Sequence, residues 1–145
     1  MQHPKFIIYL AFKNQIHSIF IIMKLLEGKT AIITGASRGI GKSIVEVFAA
    51  HGANVAFTYS SSAESALALE AQILETGVKA KAYKSDAADF DQAQTLVEQV
   101  LAEFGSVDIL INNAGVFKPT PFLEHSETDF EYFINIILRG TFFAS

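Results

Sequence analysis

From Lys29 onward, short apolar runs alternate with longer stretches in which apolar residues recur every three or four positions. The runs Thr30 to Thr34, Asn54 to Tyr59, Lys79 to Lys84 and Val107 to Asn112 are mostly apolar and about the length of buried strands. Between them, Ile40, Ile44, Val47, Phe48 and His51 place an apolar stripe along one helix, and Phe90, Ala93, Leu96, Val97, Val100, Leu101 and Phe104 form a second stripe. Glu64 to Glu75 reads as a softer, Ala-rich helix. Gly52, Gly77 and Gly105 stop these helices in the manner of C-terminal glycines. A last helix is expected to begin at the cap-type residues Ser126, Glu127, Thr128 and Asp129, with Phe130, Phe133, Ile134, Ile137 and Thr141 on one face. Strands separated by helical segments predict a parallel sheet with crossover helices, the α/β class.

Residues 1–22 break this pattern. Two apolar bursts, Phe6 to Phe12 and Ile19 to Ile22, flank a polar stretch from Lys13 to Ser18. Neither reaches the roughly 20 apolar residues of a membrane span, and the long apolar core and small-residue cleavage site of a secretory signal are missing. We read 1–22 as an atypical apolar leader outside the fold, Met23 as the natural start, and 23–145 as one domain. Weak interfacial anchoring is the alternative role for the leader.

Composition narrows the chemistry. Half of the 145 residues are hydrophobic, which suits a globular core, and 11 Lys+Arg against 15 Asp+Glu leave no basic surplus for nucleic acid. With no cysteine, disulfides, thiolate metal sites and Cys nucleophiles are excluded, which fits a reducing, cytoplasmic setting. His3, His17, His51 and His125 are scattered without ligand spacing, so no metal site is expected.

The most informative segment is Thr34-Gly35-Ala36-Ser37-Arg38-Gly39-Ile40-Gly41, which follows the first strand and opens the first helix. Glycines there permit a tight turn and close approach of backbone N–H groups to a pyrophosphate, while the helix N-terminus adds partial positive charge. The spacing Gly-x-x-x-Gly-x-Gly differs from the commoner Gly-x-Gly-x-x-Gly fingerprint. Gly41-Lys42-Ser43 superficially matches the end of a nucleoside-triphosphatase phosphate loop, but the first glycine of that motif would fall on Ala36.

These residues resemble the short-chain dehydrogenase/reductase family, most closely its bacterial 3-oxoacyl-[acyl-carrier-protein] reductase branch. Thr34 to Gly41 is similar to that family's cofactor loop, Asp86 stands at its acidic position after the third strand, and Asn112-Asn113-Ala114-Gly115 matches its motif after the fourth. Similarity runs from about Leu25 to Ser145. The resemblance implies the front half of a doubly wound Rossmann-type domain, strand order 3-2-1-4, ending after the fourth strand and the helix that follows. It also implies an NADPH-dependent reductase of 3-oxoacyl thioesters, an acyl-carrier-protein partner and a homo-oligomer.

It further places Asp86 and Ala87 against the adenine, where a carboxylate can accept from the amino group; capping of the helix at Asp89 is the plainer role for Asp86. Asn112 and Asn113 carry the donors and acceptors to brace the neighbouring strand and to reach a ribose. Charge selects the cofactor: Thr58 to Ser62 offers no carboxylate for a ribose 2′-hydroxyl, and Glu64 comes late. Arg38, with Ser60 and Ser61 as neutral donors, suits a 2′-phosphate, so NADP(H) is expected. The missing carboxylate also argues against a methyltransferase.

No catalytic residue is assigned. The resembled family uses a Ser and a Tyr-x-x-x-Lys pair expected beyond Ser145, and Tyr9 with Lys13 matches that spacing only by coincidence, ahead of the cofactor loop. Where members place Asn before a Leu-Lys-Gly-like triplet, this chain has Ile137 before Leu138-Arg139-Gly140. Asn135, two positions away on a helix, is expected on another face. A catalytically inert nucleotide-binding or vestigial fragment is therefore the alternative. An uncovered apolar edge on the fourth strand implies marginal stability and a tendency to pair with other chains.

Overall fold

The computed structural model describes residues 24–145, so the expectations for the leader and for Met23 lie outside the described residues. Four parallel strands, β1 (Thr30–Ile33), β2 (Asn54–Tyr59), β3 (Ala80–Lys84) and β4 (Ile109–Ile111), form one sheet in the order β3-β2-β1-β4. Ile32 lies level with Ala56 on one side and Leu110 on the other. The strand order is the one expected. The strands are shorter by a residue or more than their apolar runs, except β2, because Thr34, Lys79, Val107 and Asn112 bend into loops at the sheet's ends.

Both faces of the sheet are buried, which is why its strands read as continuous apolar runs rather than alternating ones. Helices α1 (Gly39–Ala50) and α2 (Ala63–Leu74) cover one face, over a core that includes Ile33, Val45, Phe57, Leu69 and Ile73. Helix α3 (Phe90–Phe104) covers the other, over Ile32, Ala56, Tyr83, Leu96 and Val100.

The apolar stripes are partly corrected. On α1 the buried line is Gly41, Val45 and Ala49, with Ile44 and Phe48 flanking it, while Ile40 is 77% and Val47 54% exposed. Small side chains at the contact let this helix lie close to the sheet, and the bulkier residues are turned to its margins. On α3 the line centres on Leu96 and Val100, and Phe90 and Leu101 stay largely exposed.

The C-terminal segment departs furthest from expectation. After a 3₁₀ turn (Phe122–Glu124), α4 (Glu127–Phe133) begins with a capping box in which the Ser126 hydroxyl accepts from the Asp129 N–H and the Asp129 carboxylate accepts from the Ser126 N–H. The chain then widens into a π-helical turn (Ile134–Arg139) before α5 (Gly140–Ala144). That wider turn breaks the regular helical period, so the predicted stripe does not form: Ile136 is buried, whereas Phe130 and Ile137 are exposed.

Two polar ties fix the sheet's borders. The Asp108 carboxylate accepts from the Thr30 N–H and the Lys29 ammonium, both at 2.9 Å, and so joins the entry of β4 to the start of β1. On the outer border of β3, the Glu70 carboxylate accepts the Ala82 N–H. Beyond β4 no further strand pairs with the sheet among the described residues.

Candidate functional site

At the C-terminal ends of the strands, a cleft of about 540 Å³ opens between the loops that follow β1, β2, β3 and β4. Its floor is the turn from β1 into α1. Gly35 adopts a left-handed conformation (φ 64°), and a β-carbon there would lie 2.8 Å from Ala114 Cα, so the loop after β4 packs directly on it. A β-carbon at Gly41 would lie 2.7 Å from Ala36 Cα, whereas at Gly39 nothing stands within 4 Å. The loop is therefore closed beneath and open above, a cradle whose space a side chain would fill.

Hydrogen bonds hold this floor rigid. Thr58 accepts from two successive loop amides, Gly35 N–H on its hydroxyl at 3.0 Å and Ala36 N–H on its carbonyl at 2.9 Å. The Asn113 amide donates to the carbonyls of Thr34 and Gly35 at 2.9 and 3.0 Å, and the Thr34 hydroxyl accepts from the Asn113 and Ala114 N–H groups. Asn113 thus braces β1 and its loop.

The electrostatics favour an anion. Helix α1 opens at the cleft with no side-chain cap and no acidic residue in its first turn. Arg38, at its N-cap, is exposed and makes no ion pair among the described residues. Lys42 instead pairs with Glu46 one turn along, at 3.8 Å, and Ser43 bonds back to the Gly39 carbonyl, so neither serves a triphosphatase loop.

Of the residues singled out from sequence, Gly35, Ser37, Arg38, Ile40, Gly41, Ser60, Asp86, Ala87, Asn113, Ala114 and Gly115 line this cleft together. Ala36 is buried beneath it, and Gly39 starts the helix behind it. Asn112 faces a neighbouring cavity, and its amide donates to the Ser145 hydroxyl at 3.1 Å. Asp86 combines its two expected roles in part: Oδ1 accepts the Ala88 N–H at 2.9 Å, yet the residue lines the cleft. The cap of α3 is Asp89, which accepts from the Gln92 N–H, and these bonds to Gln92 hold its carboxyl below the usual carboxylate range. Glu64 lies in the first turn of α2 and does not line the cleft, leaving Asp86 the one carboxylate and Arg38 the one cation on the lining among the described residues.

Three residues on the C-terminal segment were missed. Tyr132, Asn135 and Ile136 also line the cleft, and Ile137 does not. Asn135 therefore stands on the cleft side although a regular helix was expected to turn it elsewhere. A uniform helical period carried through the π turn hides this, and nothing in the local residue types marks the change.

A glycine-rich turn under a bare helix N-terminus, at the point where the strand order reverses, is the architecture of the doubly wound dinucleotide-type α/β proteins. The chain belongs to the short chain dehydrogenase family, whose model matches residues 29–145. Among curated relatives, 3-oxoacyl-[acyl-carrier-protein] reductase FabG of Staphylococcus aureus (strain Mu50) is 39% identical over 114 residues, covering 79% of this chain and 46% of that protein. L-rhamnose 1-dehydrogenase (NAD(P)(+)) of Sphingomonas sp. is 40% identical over 83% of this chain and 48% of its own length. Among solved structures, a short chain dehydrogenase from Burkholderia cenocepacia in complex with NADP superposes with a TM-score of 0.80 at 41% identity, over 82% of this chain and 49% of that one. A blue fluorescent protein from a metagenomic library in complex with NADPH gives a TM-score of 0.78 at 44% identity, over 82% and 49%. The chain spans about half the length of the relatives it matches.

Proposed function

We propose that residues 23–145 form the NADP(H)-binding half of a short-chain oxidoreductase. The observation that carries this reading is the Arg38 guanidinium at the N-cap of α1, without an ion pair among the described residues and lining the same cleft as Ser60 and Ser61, with no carboxylate at the end of β2. A guanidinium pairs bidentately with a phosphate, and a ribose 2′-phosphate would lack the repelling acid that NAD-selective sites place there. The residues fit the rest of the cofactor too. The loop Gly35-Ala36-Ser37-Arg38-Gly39-Ile40-Gly41 receives the pyrophosphate on its open side, Asp86 and Ala87 flank the adenine, and Asn112 to Gly115 support the ribose side. Bound there, the nicotinamide would supply hydride.

For the substrate we favour a 3-oxoacyl thioester carried on acyl-carrier protein, a reading supported by the name of the FabG relatives; the cytoplasmic setting and the homo-oligomer rest on the family resemblance. A second reading, a nucleotide-binding chain without turnover, is favoured by Ile137, which offers no hydrogen bond where the family carries Asn.

The test is a fluorescence titration of the 145-residue chain with NADPH and with NADH, beside a 3-oxoacyl thioester turnover assay. Saturable binding with NADPH preferred at least tenfold is expected. Equal affinity for the two, or none for either, would overturn the cofactor assignment; turnover would remove the inert alternative.

A further inference from the structure

The C-terminal segment meets the cleft wall at one point where no side chain fits. A β-carbon at Gly140 would overlap the carbonyl oxygen of Ala87 and stand 3.1 Å from its carbonyl carbon. Both are backbone atoms of the loop after β3 and cannot swing aside as a side chain would. The same β-carbon would crowd the Asn135 carbonyl oxygen at 3.3 Å, and that oxygen accepts the Gly140 N–H in the bond that closes the π turn. Gly140 therefore sits where two backbones and a hydrogen bond converge.

Neighbouring contacts reinforce the seat. Phe143 packs edge to face on Phe90, at the start of α3, with ring centroids 5.0 Å apart, and the Arg139 guanidinium lies 5.8 Å over the Phe143 ring. From its other side the loop is tied by Gln92, whose side-chain oxygen accepts the Asp86 N–H at 2.8 Å. Asp86 and Ala87, which line the cleft, are thus clamped between α3 and the π turn.

We propose that Gly140 is a positioning residue for the adenosine end of the cleft: its missing side chain lets the π turn rest on Ala87 and hold the Asp86–Ala87 loop at its binding position. The ligand group it serves is the adenosine 2′,5′-bisphosphate portion of the dinucleotide, so the inference rests on the NADP(H) reading. A β-carbon at this seat moves the loop and leaves the pyrophosphate cradle, built on β1 and α1, where it is.

The experiment compares wild type with Gly140→Ala, titrated with 2′,5′-ADP and with NADPH, and folding is followed by far-ultraviolet circular dichroism. The expected result is a loss of at least tenfold in affinity for both ligands, by the same factor, at unchanged circular dichroism. Unchanged affinities would overturn the proposal, as would weakened NADPH with unaffected 2′,5′-ADP. Hydrogen exchange on wild type alone gives an independent reading: 2′,5′-ADP should slow exchange in Gly140–Ala144 as well as in the loops of the cleft. Protection confined to the loops would overturn the proposal even if the variant fails to fold. A wild type that binds neither ligand removes the NADP(H) reading itself, whereas a wild type that binds beside an equal variant removes only the role of Gly140.

Discussion

Asn113 spends its amide on two backbone carbonyls of the β1 loop, and its own N–H on the Thr34 hydroxyl, so one side chain couples β4 to the floor of the cleft. Replacing it leaves those carbonyls short of a donor in a half-buried place. Asn113→Ala should therefore cost roughly 1–3 kcal/mol, read as a lower urea midpoint at unchanged slope. Arg38 is the opposite kind of residue, its side chain exposed and without an ion pair among the described residues. Arg38→Ala should leave the urea midpoint unchanged while lowering NADPH affinity roughly tenfold or more, with little effect on NADH, as competitive titration would show. The bracing role of Asn113 was legible as sequence because it follows from a local motif. Asn135 was not, because its direction depends on a backbone turn that the residue types do not announce.

Helices were legible as elements but less so as rotated faces. The α1 stripe drawn through Ile40 and Val47 lies off the buried line through Gly41, Val45 and Ala49, since the sheet selects small residues for close approach and hydrophobicity alone cannot see that. The two lines predict different mutants. Val45→Ala, at a fully buried position, should cost roughly 2 kcal/mol, whereas Val47→Ala, half exposed, should stay within about 0.5 kcal/mol; thermal or urea unfolding separates them. Helix ends were read more accurately than faces: Ser126 and Gly105 terminate elements as expected, because a cap acts on its own helix, Ser126 through its hydroxyl and Gly105 through its backbone, and needs no partner element.

Across the molecule, the ionisable groups with displaced titrations bound a stability window. Asp89, Asp108 and Asp129 are held below the ordinary carboxylate range, Asp89 by bonds from Gln92, Asp108 first by the Thr30 N–H and then by Lys29, and Asp129 first by Lys118 and then by Ser126. A depressed acid contributes stability that is present above its unfolded value near about 4 and drains away as pH falls through the folded one. Tyr83 is pushed up, by burial and by donating to Glu103 at 2.8 Å, so its contribution is present below about 10 and is lost as pH rises further. Unfolding free energy measured against pH should fall on both sides, and Tyr83→Phe should flatten the alkaline limb alone. The strand order that assembles these groups was readable because the resemblance to a known family implied it, while the ties at the sheet's borders join a carboxylate to a strand distant in sequence and could not be read from it.

Those borders set where copies of the 145-residue chain can join. Glu70 occupies the outward Ala82 N–H of β3, whereas among the described residues no strand pairs with the outer side of β4, which makes β4 the barer border. Two copies that meet along β4 around a twofold axis cover that border in both. Sedimentation velocity on the 145-residue chain should find a monomer–dimer equilibrium, and a monomer at every concentration would overturn this reading.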